Sequence, residues 1–520
     1  MSAADAPSNA PAPGPGVALD VHPIVRNALR ISLSAKEYRA LHGLLGTRAP
    51  GLQEVLLSPS RYDAIVYSKN RRNEAAVRTS LRVFVCTGAA LKLVEKIIRR
   101  IRGGADQKKA RTPLLRSPNF RLSLSLSLLL LLHRLLYRFL IRIRVNLCTD
   151  DAKLFRERNP RISRALTSRF APAVGASAAG FALGICPQDQ LRLTAAIYTG
   201  TRSLEFLYNV MDLKGWLDNR PWWFGSWLLM PISCAQLFHA FVFDRENTPQ
   251  WFGNVILRLS PSYIPGRPEA LPEGIAWPAK EQIVDSLASI ANLRWPAFVS
   301  PILHPSDPNT LPLSVKSISP ITGPAHPSIA HLSCALLHPS VPSCSTAFLH
   351  HILLSSKSIL ARPITSINSL SRRIITMTAV LSAAVGSAWG SVCLLNNTLP
   401  RSTLPTKRFL LSGALGGLPF ALLANSRSVF MYFFRAAVDS AWKTGVKHRW
   451  WKGGRAVELW LFVLSWALMG SILEAHPSAV QGRVLRKGLA WLRGDGFVDL
   501  EEIGQRKARR ALKKAETKDE

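Results

Sequence analysis

The sequence predicts an all-α, polytopic membrane protein of two repeated four-helix units with Gly-x-x-x-Gly packing, plus a soluble helical N-terminal region and a long central loop. Three observations predict it. Eight apolar segments, several of 17–22 residues with few or no charges, fall into two sets of four, and about 20 such residues span a bilayer as a helix. The 520 residues are 48% hydrophobic and only 19% charged, against roughly 25% charged in soluble domains. Lys and Arg number 66 against 32 Asp and Glu, a formal charge of +34, and most of the excess sits at 99–116, 134–169, 443–455 and 483–514, largely beside the apolar segments. The hydrophobic content excludes a basic disordered tail, and seven scattered cysteines exclude a disulfide scaffold.

Residues 1–25 are rich in Ala, Pro and Gly and contain Asp5 and Asp20. They lack the apolar core of a secretory signal and the Arg-rich, acid-free character of a presequence, so they read as a disordered tail. Residues 26–116 read as a helical region, with Leu41, Leu44 and Leu45 as its apolar group. Within it, 81–98 is apolar but interrupted by Lys92, Glu95 and Lys96, which suits an amphipathic or interfacial helix better than a span. The basic patch that follows, Arg99, Arg100, Arg102, Lys108, Lys109, Arg111 and Arg116, contains no aromatic residue to stack on bases. Anionic headgroups fit it equally well, and no nucleic-acid partner is expected.

The first set of apolar segments, 122–142, 170–186, 190–211 and 222–243, forms an expected repeat over 122–243. The second, 374–395, 408–424, 428–443 and 455–473, forms one over 374–473. Each repeat has a small-residue helix with a glycine pair followed by a proline: Gly180/Gly184 before Pro187, and Gly413/Gly417 before Pro419. Gly386/Gly390 is a third pair. In lipid, small residues let helix backbones approach closely, so these glycines are read as packing surfaces. The next helix carries a tyrosine, an acid seven residues on and an aromatic three further: Tyr198, Glu205, Tyr208 and Tyr432, Asp439, Trp442. Arg202 and Arg435 precede the acids by three and four residues, close enough to pair. A Trp-rich helix completes each copy, with Trp222, Trp223 and Trp227 in one and Trp460 and Trp466 in the other.

Charges inside a membrane are costly and usually face a partner or a wet cavity. Arg192, Tyr198, Arg202, Glu205, Tyr432, Arg435 and Asp439 are therefore the polar intramembrane candidates. Two roles stay open for them: neutralising pairs that fix helix register, or a polar groove between the repeats for a lipid or solute.

The intervening stretch 244–370 is rich in Pro and Ser and reads as a loop, and 474–520 as a charged C-terminal tail. The loop holds Cys334, His338, Cys344, His350 and His351 in C-x3-H-x5-C-x5-H spacing, unlike the tight C-x2-C zinc knuckles. Packing and helix-start roles are favoured, and no metal or cofactor is expected. An enzyme reading rests on His239-x4-Asp244, the spacing by which an acid orients a histidine base in glycerolipid acyltransferases, and on Pro272-Glu273-Gly274. The two elements lie too close together for that pattern, Ile275 stands where Ser or Thr belongs, and no catalytic residues are assigned.

The segments CALLHPSVPSCSTAFLHHILL (334–354), NSRSVFMYFFRAAVDSAWKTGVK (425–447), LTAAIYTGTRSLEFLYNVMDLKGW (193–216) and WFGNVILRLS (251–260) resemble the transmembrane protein 135 family. Its helical repeats are in turn similar to the glycine-rich units of the mitochondrial inner-membrane translocase superfamily. The chain departs from the family in having fewer cysteines near Cys334 and Cys344 and Asp rather than Glu at 439. The resemblance implies a multi-pass protein of peroxisomal or mitochondrial membranes, tied to lipid handling and organelle dynamics, with no established catalytic activity. The expected partners are membrane lipids, including anionic headgroups, with a second copy of the chain or other organelle-membrane proteins as further candidates.

Overall fold

The computed structural model describes residues 22–48, 56–67, 71–101, 117–187, 189–221, 223–261, 263–264, 279–295, 363–400, 402–423 and 426–504. Among these every regular element is helical. In chain order they are α1 (Pro23–Ser32), α2 (Ala35–Arg48), α3 (Pro59–Val66), α4 (Arg71–Ile101), α5 (Pro118–Leu147), α6 (Lys153–Arg158), α7 (Pro160–Thr167), α8 (Ala171–Ala176) and α9 (Asp189–Leu213). Then follow α10 (Leu229–Phe243), α11 (Gln250–Leu259), α12 (Lys280–Asn292), α13 (Pro363–Thr398), α14 (Arg408–Gly417), α15 (Arg427–Lys447), α16 (Arg455–Ala475) and α17 (Arg483–Arg493).

Four helices are long and apolar enough to cross a membrane: Pro118–Leu147, Ser226–Phe243, Ser371–Thr398 and Ala456–Ala475. Only 33–50% of their apolar windows is buried. The remainder leaves Leu126, Ile232, Leu394 and Leu464 on the surface, an exposure that suits hydrocarbon rather than water.

The two small-residue segments are not continuous α-helices. Each begins as α-helix and finishes as 3-10 helix, Ser177–Ile185 after α8 and Leu418–Leu423 after α14. At about 1.5 Å per α residue and about 2.0 Å per 3-10 residue, both composite pieces reach about 27 Å. The tighter winding thus lengthens segments that would otherwise be short.

The chain divides into two compact units, 1–216 with 454–520, and 217–453. This differs from the expected division at 122–243 and 374–473. In the first unit α5, α8 with its 3-10 extension, and α9 are closed by α16, the last segment of the second set. In the second unit α13, α14 and α15 are closed by α10, the last segment of the first set. The glycine faces explain the exchange. A Cβ on Gly180 would meet Val463 Cγ2 at 2.9 Å and Phe462 Cδ1 at 3.0 Å, and one on Gly184 would meet Leu459 at 3.2 Å. In the second unit a Cβ on Gly413 would lie 2.5 Å from the Cys234 carbonyl oxygen, and one on Gly417 would lie 2.4 Å from Pro231 Cα. Gly416, outside the expected pairs, receives Ala388 Cβ at 2.8 Å, whereas Gly386 is buried and Gly390 half-buried on α13. Gly417→Ala must push against backbone, so it is expected to cost about 1–3 kcal/mol. Gly184→Ala meets only a leucine methyl and should cost much less. Thermal unfolding of both variants in detergent checks the order.

The stretches expected as a central loop and as a charged C-terminal tail both contain packed helices. The region expected as a loop contains α11 and α12, whose Phe252, Ile256, Ile283, Val284, Leu287 and Ile290 join the core of the second unit with Phe241 and Trp389. The expected C-terminal tail contains α17, and Val480 and Ala490 are buried against the first unit. There Arg486 donates to both carboxylate oxygens of Asp499 at 2.8 and 3.0 Å, and these bonds hold Asp499 below its usual range.

The Leu/Ser alternation at the start of α5 has a direct use. Ser125 Oγ donates to the Ala182 carbonyl at 2.9 Å and Ser127 Oγ to the Ser80 carbonyl at 2.7 Å. One serine therefore ties α5 to the 3-10 segment and another ties it to α4, the interhelical hydrogen bonding that stands in for hydrophobic drive in lipid.

Arginines close many helix C-termini. The last carbonyls of a helix lack intrahelical donors, and a cation there also meets the negative end of the helix dipole. Arg30 donates to Tyr67 O after α3 at 2.5 Å, Arg82 to Ser32 O of α1 at 2.9 Å, and Arg144 to Thr167 O of α7 at 3.1 Å. Arg156 donates to Leu147 O of α5 at 3.0 Å, Arg169 to Glu474 O of α16 at 2.6 Å, and Arg134 to Trp491 O of α17 at 2.6 Å. Much of the basic excess is thus part of the fold.

The N-terminal helices pack through Tyr38 stacked on Tyr62 at 3.8 Å and through Arg82, which grips both oxygens of Glu37 at 2.6 and 2.8 Å. The hydrogen-bonded guanidinium holds Glu37 down to about 2, from 4.5. A depressed carboxylate stabilises the fold above its unfolded value and loses that contribution as pH falls. The side chain is 42% exposed, so the gain is at most about 1 kcal/mol. Proteolysis between α1 and α4 is expected to accelerate between pH 4.5 and about 2, and Glu37→Gln should remove that pH dependence.

Candidate functional site

The sequence-predicted polar residues fall on α9 in the first unit and α15 in the second. On α9 they form a row. Arg202 Nη1 donates to Glu205 Oε2 at 2.8 Å, and its guanidinium carbon lies 5.8 Å from the Tyr198 ring centre. Tyr198 is 49% exposed while Glu205 is 7% exposed. The seven-residue spacing therefore aligns the two, but Arg202 lies between them and covers the acid. The result is an exposed aromatic and a half-buried cation above a buried carboxylate, with exposed Leu191 on the same side of the helix.

On α15, Tyr432 is exposed and its ring is 5.4 Å from that of Trp251. Arg435 and Asp439 are half-buried. Asp439 accepts Lys443 Nζ at 2.7 Å, a cation that the arginine spacing had passed over. Both helices thus present tyrosine, arginine and a salt-bridged acid in the same order.

Arg192 lies away from the row. It is 1% exposed and donates to the Cys186 carbonyl at 2.5 Å and to Glu458 Oε2 at 3.3 Å. It therefore caps the 3-10 segment and neutralises an acid on α16. Glu458 was missed in the sequence, although a lone acid in an apolar span calls for a partner.

A second buried network was also missed. Tyr137 on α5 donates to Glu474 Oε1 at 2.5 Å, and Arg493 on α17 meets the same oxygen at 3.0 Å. Arg493 also donates to the Gly470 carbonyl at 3.0 Å and lies 5.2 Å from the Tyr137 ring centre. Beside it His133 Nδ1 is 3.2 Å from the Ala176 carbonyl oxygen. A void of about 10 Å³ between His133, Trp466 and Arg493 is close to the space one water needs. Groups from four helices converge here, so no local motif announces it.

In the second unit the H-x4-D pattern does not place its acid on His239. Asp244, 3% exposed, has Oδ2 3.0 Å from His448 Nε2 and Oδ1 2.8 Å from Lys447 Nζ. The carboxylate is desolvated, yet the Lys447 and His448 bonds outweigh burial and hold it below its usual range. It ties the end of α10 to the end of α15. The Pro272-Glu273-Gly274 element and Cys334, His338, Cys344, His350 and His351 lie outside the described residues. Among the described residues no three His, Cys, Asp or Glu side chains gather as metal ligands.

The second unit also contains an apolar cavity of about 60 Å³. Its walls come from α10, α11, α13, α14 and α15, with Cys234, Trp251, Val255, Leu381, Ala388 and Phe433 among the lining residues.

Comparison of the chain with protein-family models, curated proteins and solved structures finds no match in any of the three.

Proposed function

We propose that this chain is a non-enzymatic, multi-pass protein of a peroxisomal or mitochondrial membrane that alters the distribution of lipids. The observation that carries the reading is the row on α9: exposed Tyr198 stands beside exposed Leu191, half-buried Arg202 follows it one turn on, and Glu205 lies beneath. Such a row gives a phospholipid headgroup a cation and an aromatic edge to follow while its chains remain in hydrocarbon. The equivalent order on α15 supports a duplicated motif, in which each unit combines a long helix, a composite α and 3-10 segment, a polar-row helix and an apolar closing helix. The length of about 27 Å for both composite segments supports their crossing a bilayer core about 30 Å thick.

The end of α4 supports contact with anionic lipid. Leu93, Val94, Ile97, Ile98 and Ile101 are exposed, and their spacing puts them on one side of the helix. Lys92, Lys96, Arg99 and Arg100 lie exposed on the other, the pattern of an interfacial helix.

Proteoliposomes containing the purified chain and a headgroup-labelled phospholipid test the proposal. Equilibration of label between leaflets faster than in empty vesicles is expected. No acceleration, or acyl transfer that disappears in His239→Ala, would overturn it.

A further inference from the structure

We infer that the apolar cavity of the second unit is a slot for one acyl chain of a phospholipid, whose phosphate is met at the edge by Arg258. The inference rests on the lipid reading above and names a ligand site for it. The void of about 60 Å³ is several times the roughly 10–15 Å³ that admits a water. Its lining is nonetheless apolar except for a thiol, and the Trp389 indole N–H is already directed to Ser260 Oγ at 2.9 Å. A water inside would lack the two to four polar partners it needs, whereas a hydrocarbon chain needs none.

The walls explain why the space stays open. Gly416 holds α14 against Ala384 and Ala388 of α13, and Gly413 holds it against the backbone of α10, so neither side can move inward. On another side α11 is anchored by buried Phe252 and Ile256. Trp251, Val255 and Leu259 of the same helix line the cavity, and Val255 is 41% exposed, which places it at the rim. Arg258 follows Val255 by three residues, one turn along α11. It is exposed, and among the described residues no carboxylate lies within ion-pair distance of it. An apolar slot with a cation one turn from its rim matches an acyl chain attached to a phosphate.

The test uses the full chain in phosphatidylcholine vesicles carrying a phospholipid with a photoreactive diazirine in mid-chain, followed by peptide mapping of the adducts. Adducts are expected to concentrate on Trp251, Val255 and Leu381 over exposed Phe139 of α5. Val255→Trp, which narrows the rim at an exposed position, should lower slot adducts roughly tenfold, or about 1.4 kcal/mol, and leave Phe139 adducts unchanged. Arg258→Glu should also lower slot labelling. Equal labelling of the slot and Phe139 in the wild-type chain would overturn the inference whatever the variants do. So would preferential labelling by a diazirine fatty acid that is indifferent to Arg258→Glu, because the occupant would then be a free acid. Slot labelling that persists without lipid movement between leaflets would refute the proposed function alone. Lipid movement without slot labelling would refute this inference alone.

Discussion

Arg192→Ala is expected to destabilise the first unit by about 3–5 kcal/mol, the cost of leaving one partner of a buried ion pair alone. Arg192 is 1% exposed and the Glu458 side chain 10% exposed, so water cannot take over the lost bonds. The Cys186 carbonyl loses its donor in the same change. The double replacement Arg192→Met with Glu458→Met removes both charges while keeping apolar volume, and it should recover most of the loss, since uncharged packing is often as stable as a buried pair. Denaturant titration in detergent, followed through tryptophans of α16, separates the cases. A single variant within about 1 kcal/mol of wild type would mean that the pair is hydrated.

The second large effect is expected at Arg408. It is 0% exposed, and its guanidinium donates to Asn396 Oδ1 at 2.6 Å, to Leu399 O at 3.4 Å, to Thr403 O at 3.0 and 3.2 Å, and to Pro400 O. These acceptors form the end of α13 and the turn into α14, and among the described residues no carboxylate forms a salt bridge with Arg408. Hydrogen bonds from a charged group contribute about 1.5–3 kcal/mol each, non-additively, so Arg408→Ala should cost about 4 kcal/mol or more. Arg408→Lys should rescue only part of this, because three donors on a point charge cannot reproduce a five-donor planar fork. Thermal unfolding with proteolysis of the 399–407 turn reads both variants. Full rescue by lysine would show that charge alone matters there.

These two arginines mark the limit of what the sequence discloses. The four long apolar helices are legible from hydropathy, and the Arg202–Glu205 pair from its spacing on one helix. Arg192 and Glu458 are 266 residues apart, and nothing in either neighbourhood names the other. Arg408 binds carbonyls, which every residue carries, so its acceptors leave no sequence signature. The exchange of α10 and α16 is hidden for a similar reason. Chain proximity favours the adjacent helix, whereas the choice is made by whether Phe462 or Pro231 fits a glycine face. In the central stretch α11 and α12 were obscured by flanking prolines, although the alternation of Ile283, Val284, Leu287 and Ile290 is that of a helix packed on one side. The row on α9 was legible in composition, but the covering of Glu205 by Arg202 depends on side-chain placement that spacing does not fix.

The basic excess has two uses that composition merges. Arg134, Arg144, Arg156, Arg169 and Arg192 cap helix ends inside the first unit. Lys92, Lys96, Arg99 and Arg100 stay exposed beside an apolar helix face, where anionic headgroups can meet them. Mutating the first group should lower stability, and mutating the second should lower affinity for anionic vesicles.

The most direct test of the lipid account is the rate of phospholipid movement per inserted molecule when Glu205→Gln and Asp439→Asn are combined. Both replacements keep shape and remove only charge, from acids paired with Arg202 and Lys443. The rate per molecule is expected to fall while insertion and helix content are kept. A lower amount of folded protein with an unchanged rate per molecule would contradict it and leave the two acids as partners that fix helix register.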